Sequence, residues 1–142
     1  MKLVQHVLEA KDGDVISIEG GLSVFDAIKL MADRAVGSLL VMDIGKLVGI
    51  VTERDYARKV ILKGRSSETT SVEEIMTTEV LTATAEQTVN ECMTLMTEKR
   101  IRHLPIVEDG KVIGIISIGD LVQAIISDQR EEIEQLENYI SG

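Results

Sequence analysis

Aromatic side chains are almost absent from this chain, at 2% of the residues with no tryptophan. Proteins that bind single-stranded nucleic acid stack bases on aromatic rings, so this class of partner is excluded by composition. The formal net charge of −9 argues in addition against any polyanion bound through counterion release. Neither nucleic acid nor an anionic membrane is therefore expected as a partner, and the core must be built from aliphatic residues.

Cysteine and long apolar runs are scarce as well. The lone Cys92 excludes an intramolecular disulfide and a multi-cysteine metal site, and it aligns with Ala27 on an apolar helical face, which favours a small buried residue over a nucleophile. No apolar run approaches the ~20 residues of a membrane span. The first residues run into a charged segment instead of the apolar stretch of a signal peptide. The sequence predicts a cytoplasmic protein without a metal site.

What the chain does contain is a repeat: residues 15–61 and 80–126 align without a gap. Each copy reads as strand, helix, strand, strand, helix, with strands expected at 15–18, 39–42 and 47–51 in the first copy and at 80–82, 104–107 and 112–116 in the second. Ser23 and Thr88 are expected to cap the first helix of each copy, and hairpin turns are expected at 43–46 and at 109–110. A repeat this small is expected to pack against its twin to bury its apolar face. We therefore predict one pseudo-symmetric α+β domain.

The predicted boundaries follow from this repeat. They are an N-terminal lead-in helix (1–14), repeat 1 (15–62), a connector with a second lead-in (63–79), repeat 2 (80–127) and an acidic helical tail (128–142). The first lead-in is assigned to the first copy. In the tail, apolar residues follow a seven-residue rhythm, and the sequence leaves open whether this stripe meets a partner helix or folds back on its own domain; the residues are Ile126, Ile133, Leu136 and Ile140.

One pair of residues in each copy could carry chemistry, namely Thr52 with Asp55 and Ser117 with Asp120. Each pair stands where a buried strand gives way to a helix. In one interpretation it is a capping box that only starts the helix. In the other, the helix N-terminus and the hydroxyl hold a phosphate while the carboxylate accepts hydrogen bonds from ribose hydroxyls. The preceding glycines, Gly49 and Gly114, would let a ligand approach the strand.

The two copies differ in their basic residues. Arg102 and His103 in the second copy align with Gly37 and Ser38 in the first, and Arg54 has a glycine as its counterpart. A basic pair beside a helix N-terminus suits phosphate recognition, although a solvated loop edge is an equal alternative. The two sites should therefore differ in affinity.

With these motifs in place, the chain resembles a CBS-domain pair, also called a Bateman module. The matching motifs are Gly-Ile-Val-Thr-Glu-Arg-Asp at 49–55, Gly-Ile-Ile-Ser-Ile-Gly-Asp at 114–120, Arg-His-Leu-Pro at 102–105 and Ile-Met-Thr at 75–77. The resemblance implies two β-α-β-β-α units related by a pseudo-twofold axis and packed sheet to sheet. It also implies adenosine-containing ligands in clefts between the repeats: AMP, ADP, ATP, NAD(H) or S-adenosylmethionine.

The resemblance also assigns roles to residues. Asp55 and Asp120 would hold ribose hydroxyls. The phosphate-binding set would be Thr52, Arg54, Ser117, Arg102, His103 and Ser38, and the adenine pocket would comprise Val15, Ile16, Val36, Gly37, Val80, Leu81, Thr82 and Ile101. The Asp55 cleft would borrow residues 80–82 for the adenine and Arg102 with His103 for the phosphates. The Asp120 cleft would borrow Val15, Ile16 and residues 36–38.

The resulting hypothesis is a stand-alone regulatory module that senses an adenosine derivative and transmits its state to an unknown partner protein, as a homodimer. A bound adenine nucleotide is expected as a ligand, with no catalytic cofactor and no catalytic residue. The alternative is a ligand-free structural or oligomerisation module. An enzyme is the weakest hypothesis, because His103 has no serine or cysteine nucleophile beside it and the two aspartates are a symmetry-related pair.

Overall fold

The computed structural model describes residues 2–11 and 15–141. Parts of two predicted segments lie outside the described residues: positions 1 and 12–14 of the lead-in, and position 142 of the tail. In chain order the elements are α1 (Val4–Ala10), β1 (Ser17–Ile18), α2 (Val24–Arg34), β2 (Ser38–Asp43), β3 (Lys46–Thr52), α3 (Glu53–Tyr56) with a π-helical continuation (Ala57–Ile61), α4 (Val72–Ile75), α5 (Val89–Lys99), β4 (His103–Glu108), β5 (Lys111–Ser117) and α6 (Ile118–Ser141).

The chain divides into two compact units. The repeat-1 unit is Val15–Val80, and the repeat-2 unit combines the described residues of Met1–Asp14 with those of Leu81–Gly142. Each unit has an aliphatic core of its own, which corrects the expectation that a repeat cannot bury its apolar face without its twin. The helix that completes each core comes from outside the repeat.

In the repeat-1 unit, a three-stranded sheet has the order β1-β2-β3, with β1 parallel and β3 antiparallel to β2. Helix α2 begins because the Ser23 hydroxyl accepts a hydrogen bond from the Asp26 N–H at 3.1 Å, as predicted. The buried face of α2, which includes Ala27, lies in the core of this unit together with Val72 and Ile75 of α4.

In the repeat-2 unit, β4 and β5 form a two-stranded antiparallel sheet, and the strand predicted at 80–82 is not formed. In the segment before α5, Ala83 alone pairs with β4. Its N–H donates to the Pro105 carbonyl, and its carbonyl accepts from the Val107 N–H. In the repeat-1 unit, the Leu40 N–H donates to the Ile16 carbonyl and extends the ladder. Pro105 stands in the place of Leu40 and has no N–H to donate, so the pairing stops after one residue.

Neither lead-in helix packs on the copy that follows it in the sequence. Val4 and Val7 of α1 are buried in the core of the repeat-2 unit, not in the first copy as predicted from the sequence. The backbone explains this placement, because the N–H groups of Val4 and Gln5 donate to the carbonyls of Gln87 and Ala85. Helix α4 follows repeat 1 and packs on repeat 1, where Thr77 pairs with Ile50.

The β-strand predicted at 15–18 is also shorter than expected, since only Ser17 and Ile18 pair with β2. The two hairpin turns form as predicted, with positive φ angles at Ile44, Gly45, Asp109 and Gly110. Cys92 is fully buried like its counterpart Ala27, which confirms its interpretation as a core residue. Within the described ranges, no helix has the length and apolar character to cross a membrane.

Candidate functional site

The repeat-1 site lies where β3 ends and α3 begins. The Asp55 N–H donates to Thr52 Oγ1 at 3.1 Å, and Asp55 Oδ2 accepts from the Thr52 N–H at 3.0 Å and from the Thr52 hydroxyl at 3.1 Å. This is a complete capping box, so the structural interpretation of the motif is confirmed. It also fixes the carboxylate at the helix N-terminus with 12% of its side chain exposed.

The repeat-2 site repeats this geometry at the junction of β5 and α6. The Asp120 N–H donates to Ser117 Oγ at 3.1 Å, and Asp120 Oδ2 accepts from the Ser117 N–H at 2.8 Å. The side chain of Asp120 is 26% exposed, about twice as much as that of Asp55. Both predicted hydroxyl–carboxylate pairs are therefore assembled, each within one unit.

A lysine ammonium that the sequence analysis missed binds each carboxylate. Lys59 Nζ lies 3.1 Å from Asp55 Oδ1 and donates to the Ile75 carbonyl at 2.8 Å. Lys11 Nζ lies 2.8 Å from Asp120 Oδ2 and donates to the Ile115 carbonyl at 2.8 Å. The spacing of Asp55 and Lys59, one helical turn apart, was an available signal. No local signal exists for Lys11, which reaches Asp120 only through the fold.

The charges around the repeat-2 site shift two pKa values. Burial alone would raise the pKa of Asp120, but the hydrogen bonds from Lys11 and Ser117 and the charge of Lys11 outweigh it and hold that pKa below its usual value. Burial lowers the pKa of His103, and the positive charges of Lys11 and Arg102 add to the shift, which Asp120 partly opposes. The site thus favours an ionised Asp120 and a neutral His103.

The other predicted phosphate-binding residues lie near the motif of their own unit. Ser38 at the start of β2 is paired with Thr52, and His103 at the start of β4 is paired with Ser117. The Arg102 carbonyl accepts from the Ile118 N–H at the start of α6. The side chains of Arg54 and Arg102 are exposed.

The predicted adenine residues divide between the units. Val36 and Gly37 line a cavity of about 510 Å³ in the repeat-1 unit, together with Glu53 and Tyr56, and the Gly37 carbonyl accepts from the Glu53 N–H. Val15, Ile16 and Val80 also belong to this unit, while Leu81, Thr82 and Ile101 belong to the repeat-2 unit. The predicted groupings that combine residues of both units stay predictions.

The two glycines expected to admit a ligand are covered by the lead-in segments instead. A Cβ on Gly49 would lie 2.6 Å from Met76 Sδ and 3.0 Å from the Thr77 carbonyl oxygen, and a Cβ on Gly114 would lie 2.6 Å from Leu8 Cδ2. The lead-in packs directly on the last strand at this point. The absence of a side chain at each glycine therefore serves the fold of its unit.

A larger open cavity of about 1290 Å³ lies in the repeat-1 unit among α2, the β2–β3 turn and α4. Several carboxylates line it, with one lysine among them: Glu19, Asp26, Asp33, Asp43, Glu73 and Lys29. Across residues 2–11 and 15–141, no three His, Cys, Asp or Glu side chains are grouped so as to hold a metal ion.

A comparison with known protein families identifies the two repeats that carry the hydroxyl–carboxylate pairs. The model of the CBS domain matches twice, at residues 8–62 and 72–127. The chain belongs to the CBS-domain family. Both matches begin in a lead-in helix and include the hydroxyl–carboxylate pair, and the repeat of this domain makes the chain a tandem CBS pair, the regulatory-module architecture implied by the resemblance.

The similar proteins support this assignment. The CBS domain-containing protein CBSX3, mitochondrial, of Arabidopsis thaliana is 48% identical over 125 residues, which is 84% of this chain and 61% of that protein. The chain thus spans less than two thirds of this curated relative, and only 23% of the CBS domain-containing protein CBSCBSPB2 of the same plant.

Among solved structures, a protein with CBS domains from Burkholderia ambifaria is 52% identical, with a TM-score of 0.87 over 90% of this chain and 96% of that one. The CBS domain pair of protein MJ0100, in complex with 5′-methylthioadenosine and S-adenosyl-L-methionine, is 28% identical, with a TM-score of 0.79 over 89% of this chain and 98% of that one. These neighbours confirm the α+β CBS-pair fold.

Proposed function

We propose that this CBS pair is a non-catalytic sensor that binds an adenosine-containing small molecule through its two motif aspartates and passes its state to a partner protein. One observation carries the proposal. Both repeats hold an ionisable carboxylate at a helix N-terminus, fixed by a hydroxyl three residues earlier and neutralised by a lysine. Such a carboxylate is oriented to accept hydrogen bonds from a pair of ribose hydroxyls.

Counting acceptor sites supports this role. A carboxylate offers about four lone-pair positions. In the contacts among described residues, Asp55 uses three of them, two from Thr52 and one from Lys59. Asp120 uses two, from Ser117 and Lys11, both at Oδ2. Oδ1 of Asp120 is the better candidate to receive two ribose hydroxyls, so we expect the repeat-2 site to contribute more of the ribose affinity.

The neighbouring complexes indicate the class of ligand. The CBS pair of MJ0100 holds 5′-methylthioadenosine and S-adenosyl-L-methionine, and both of these molecules contain adenosine. The lysines and the neutral His103 add donors beside the carboxylates of this chain, which suits a ligand that carries phosphate as well as ribose. We therefore extend the candidate ligands to AMP, ADP, ATP and NAD(H).

Isothermal titration with AMP, ATP, NADH and S-adenosylmethionine tests the proposal. At least one ligand should bind, and Asp55→Ala with Asp120→Ala should abolish its binding. The matched control is Ser23→Ala with Thr88→Ala, which removes two helix caps outside the motifs and costs about 1 kcal/mol of stability per cap. Absence of binding by the natural sequence, or equal loss in the control, would contradict a ribose role for the aspartates.

A second function, a ligand-free structural or oligomerisation module, is favoured by one specific observation. Both motif pairs are complete capping boxes whose carboxylates are also paired with a lysine, so each motif already has a structural role in its own unit. Urea unfolding separates the two functions, because a ligand that binds only the folded state raises the unfolding midpoint with its concentration. A midpoint that stays constant at millimolar nucleotide supports the structural function.

We also propose that a partner protein reads the state of this sensor and that the chain acts as a homodimer. A sensor needs a protein that reads its state, and a homodimer would give each copy a second surface on which a ligand can act. The cytoplasmic location stays a prediction from the sequence, since the name of the Arabidopsis relative places that protein in mitochondria.

A further inference from the structure

The C-terminal half of α6 is a helix without neighbours in its own unit. The N-terminal half is anchored by the buried Leu121 and Ala124, and Lys2 reaches Asp128 with 3.6 Å between Nζ and Oδ1. From Gln129 to Ser141 every residue is exposed. Most helical stability in proteins comes from packing of an apolar face, and this part of α6 has no such packing within its unit.

The exposed segment carries a two-helix seam. Ile126, Ile133 and Ile140 repeat every seven residues, and Leu136 stands three residues after Ile133. In coiled-coil notation the isoleucines occupy a positions and Leu136 a d position, with Gln129 at the preceding d position, so they form one apolar stripe along the helix. Ile133, Leu136 and Ile140 are 54%, 62% and 82% exposed. Their exposure excludes the sequence-based alternative in which the tail folds back on its own domain.

The charged residues beside the seam identify both the partner and its direction. Arg130 and Glu137 occupy e positions, and Glu132 occupies a g position. In a parallel pair of identical helices, the g residue of one helix faces the e residue of the next heptad in the other, which sets Glu132 against Glu137. In an antiparallel pair, e positions face each other, and Arg130 then meets Glu137 of the second copy on both sides of the twofold axis.

We propose that residues 129–141 of α6 form an antiparallel two-helix coil with the same segment of a second copy of this chain. The register places Ile133 against Leu136 of the second copy at the centre and Ile140 against Gln129 at the ends. A shift by one heptad would oppose Arg130 to Arg130 and Glu132 to Glu132, so like charges disfavour it. This interface is independent of the ligand sites and stands whether or not the chain binds a nucleotide.

A charge reversal separates the two directions. In sedimentation equilibrium of the full chain, Glu137→Arg should weaken dimerisation about tenfold, because two attractive pairs become repulsive. Arg130→Glu combined with Glu137→Arg restores the pairs and should bring the affinity back to that of the natural sequence. Both residues are exposed, so urea unfolding at a concentration at which the chain is monomeric should be unchanged in these variants. A stronger dimer in Glu137→Arg, no change, or no recovery in the double variant would overturn the proposal.

A distance measurement provides a second, independent readout. With Cys92→Ala to remove the native thiol, a spin label at Ser141→Cys in each copy should lie ~20 Å from its equivalent along the coil axis, because Ser141 faces Asp128 of the second copy. A parallel coil would place the labels side by side, at about 10 Å. A short distance, or no dipolar coupling in a sample that contains dimers, would exclude the antiparallel tail, as would a chain that is monomeric at all concentrations.

Discussion

The two motif sites reach the same arrangement by different routes. In repeat 1 the cation comes from the helix itself, since Lys59 lies one turn after Asp55 and ties it to the Ile75 carbonyl of the lead-in. In repeat 2 the cation comes from the lead-in, since Lys11 follows α1 and ties Asp120 to the Ile115 carbonyl. Each lysine therefore links its motif carboxylate with a second segment of its unit.

The residues at corresponding positions explain why the lysine comes from a different segment in each repeat. When Val4 and Val7 are matched with Val72 and Ile75, Lys11 corresponds to Glu79, and in the repeats Lys59 corresponds to the buried Ala124. Neither repeat has both lysines. The fold therefore requires a cation at each motif carboxylate but not a lysine at one fixed position, because burying a carboxylate without a partner is costly.

The two repeats should differ most in how much stability they lose when the glycine beneath each lead-in is replaced. In Gly49→Ala the new Cβ meets Met76 Sδ and the Thr77 backbone, which is held by hydrogen bonds to Ile50. In Gly114→Ala it meets only the end of the Leu8 side chain, which can rotate away. We expect losses in the free energy of unfolding of about 3 and about 1 kcal/mol, measured by urea unfolding. Equal losses would show that the backbone at Thr77 yields as easily as Leu8.

The two motif aspartates should show the second largest difference in their contribution to stability. Asp55→Ala removes three acceptor contacts from a side chain that is only 12% exposed, whereas Asp120→Ala removes two from a more exposed one. We expect losses of about 2 and about 1 kcal/mol in urea unfolding. The control is Asp26→Ala, since Asp26 holds the same position in α2 but is exposed and bonds Ser23 through its backbone N–H. That variant should lose less than about 0.5 kcal/mol.

The contact between Lys11 and Asp120 should make the stability of the repeat-2 unit depend on pH. Because the folded-state pKa of Asp120 lies below its unfolded value, its contribution to stability is full above the unfolded pKa and disappears as the pH falls through the folded one. Lys11→Met should therefore cost about 1 kcal/mol at neutral pH, since Lys11 is partly exposed, and less at an acidic pH below the unfolded-state pKa of Asp120. Urea midpoints at both pH values measure this, and a cost that is the same at both would place the effect of Lys11 in packing alone.

The sequence predicted the parts of this fold that depend on local pattern. The repeat, the helix caps at Ser23 and Thr88 and the burial of Cys92 follow from periodicity and capping chemistry, and each is observed. The motif pairs were also located correctly, because a hydroxyl three residues before an acid is a local signal.

The errors concern contacts between distant segments. Nothing local indicates that α1 packs on the second copy or that Lys11 reaches Asp120, since both follow from tertiary contacts between residues far apart in the chain. The missing strand at 80–82 was a different kind of error. Pro105 was visible, but its effect appears only when its lost N–H is matched with the carbonyl that would have received it.

The smallest expected effect lies in the hairpin turns, where the repeats also differ. Ile44 and Asp109 hold the same left-handed position, with φ of 47° and 50°. This conformation is costly for a β-branched residue and tolerated by Asn or Asp, and Ile44 is 95% exposed, so its side chain gains nothing from packing. Ile44→Asn should therefore raise the free energy of unfolding by about 0.5 kcal/mol, and the reciprocal Asp109→Ile should lower it by a similar amount. Urea unfolding of both variants measures the two changes in the free energy of unfolding. A change of the same sign in both variants would show that something other than turn geometry decides the stability of these hairpins.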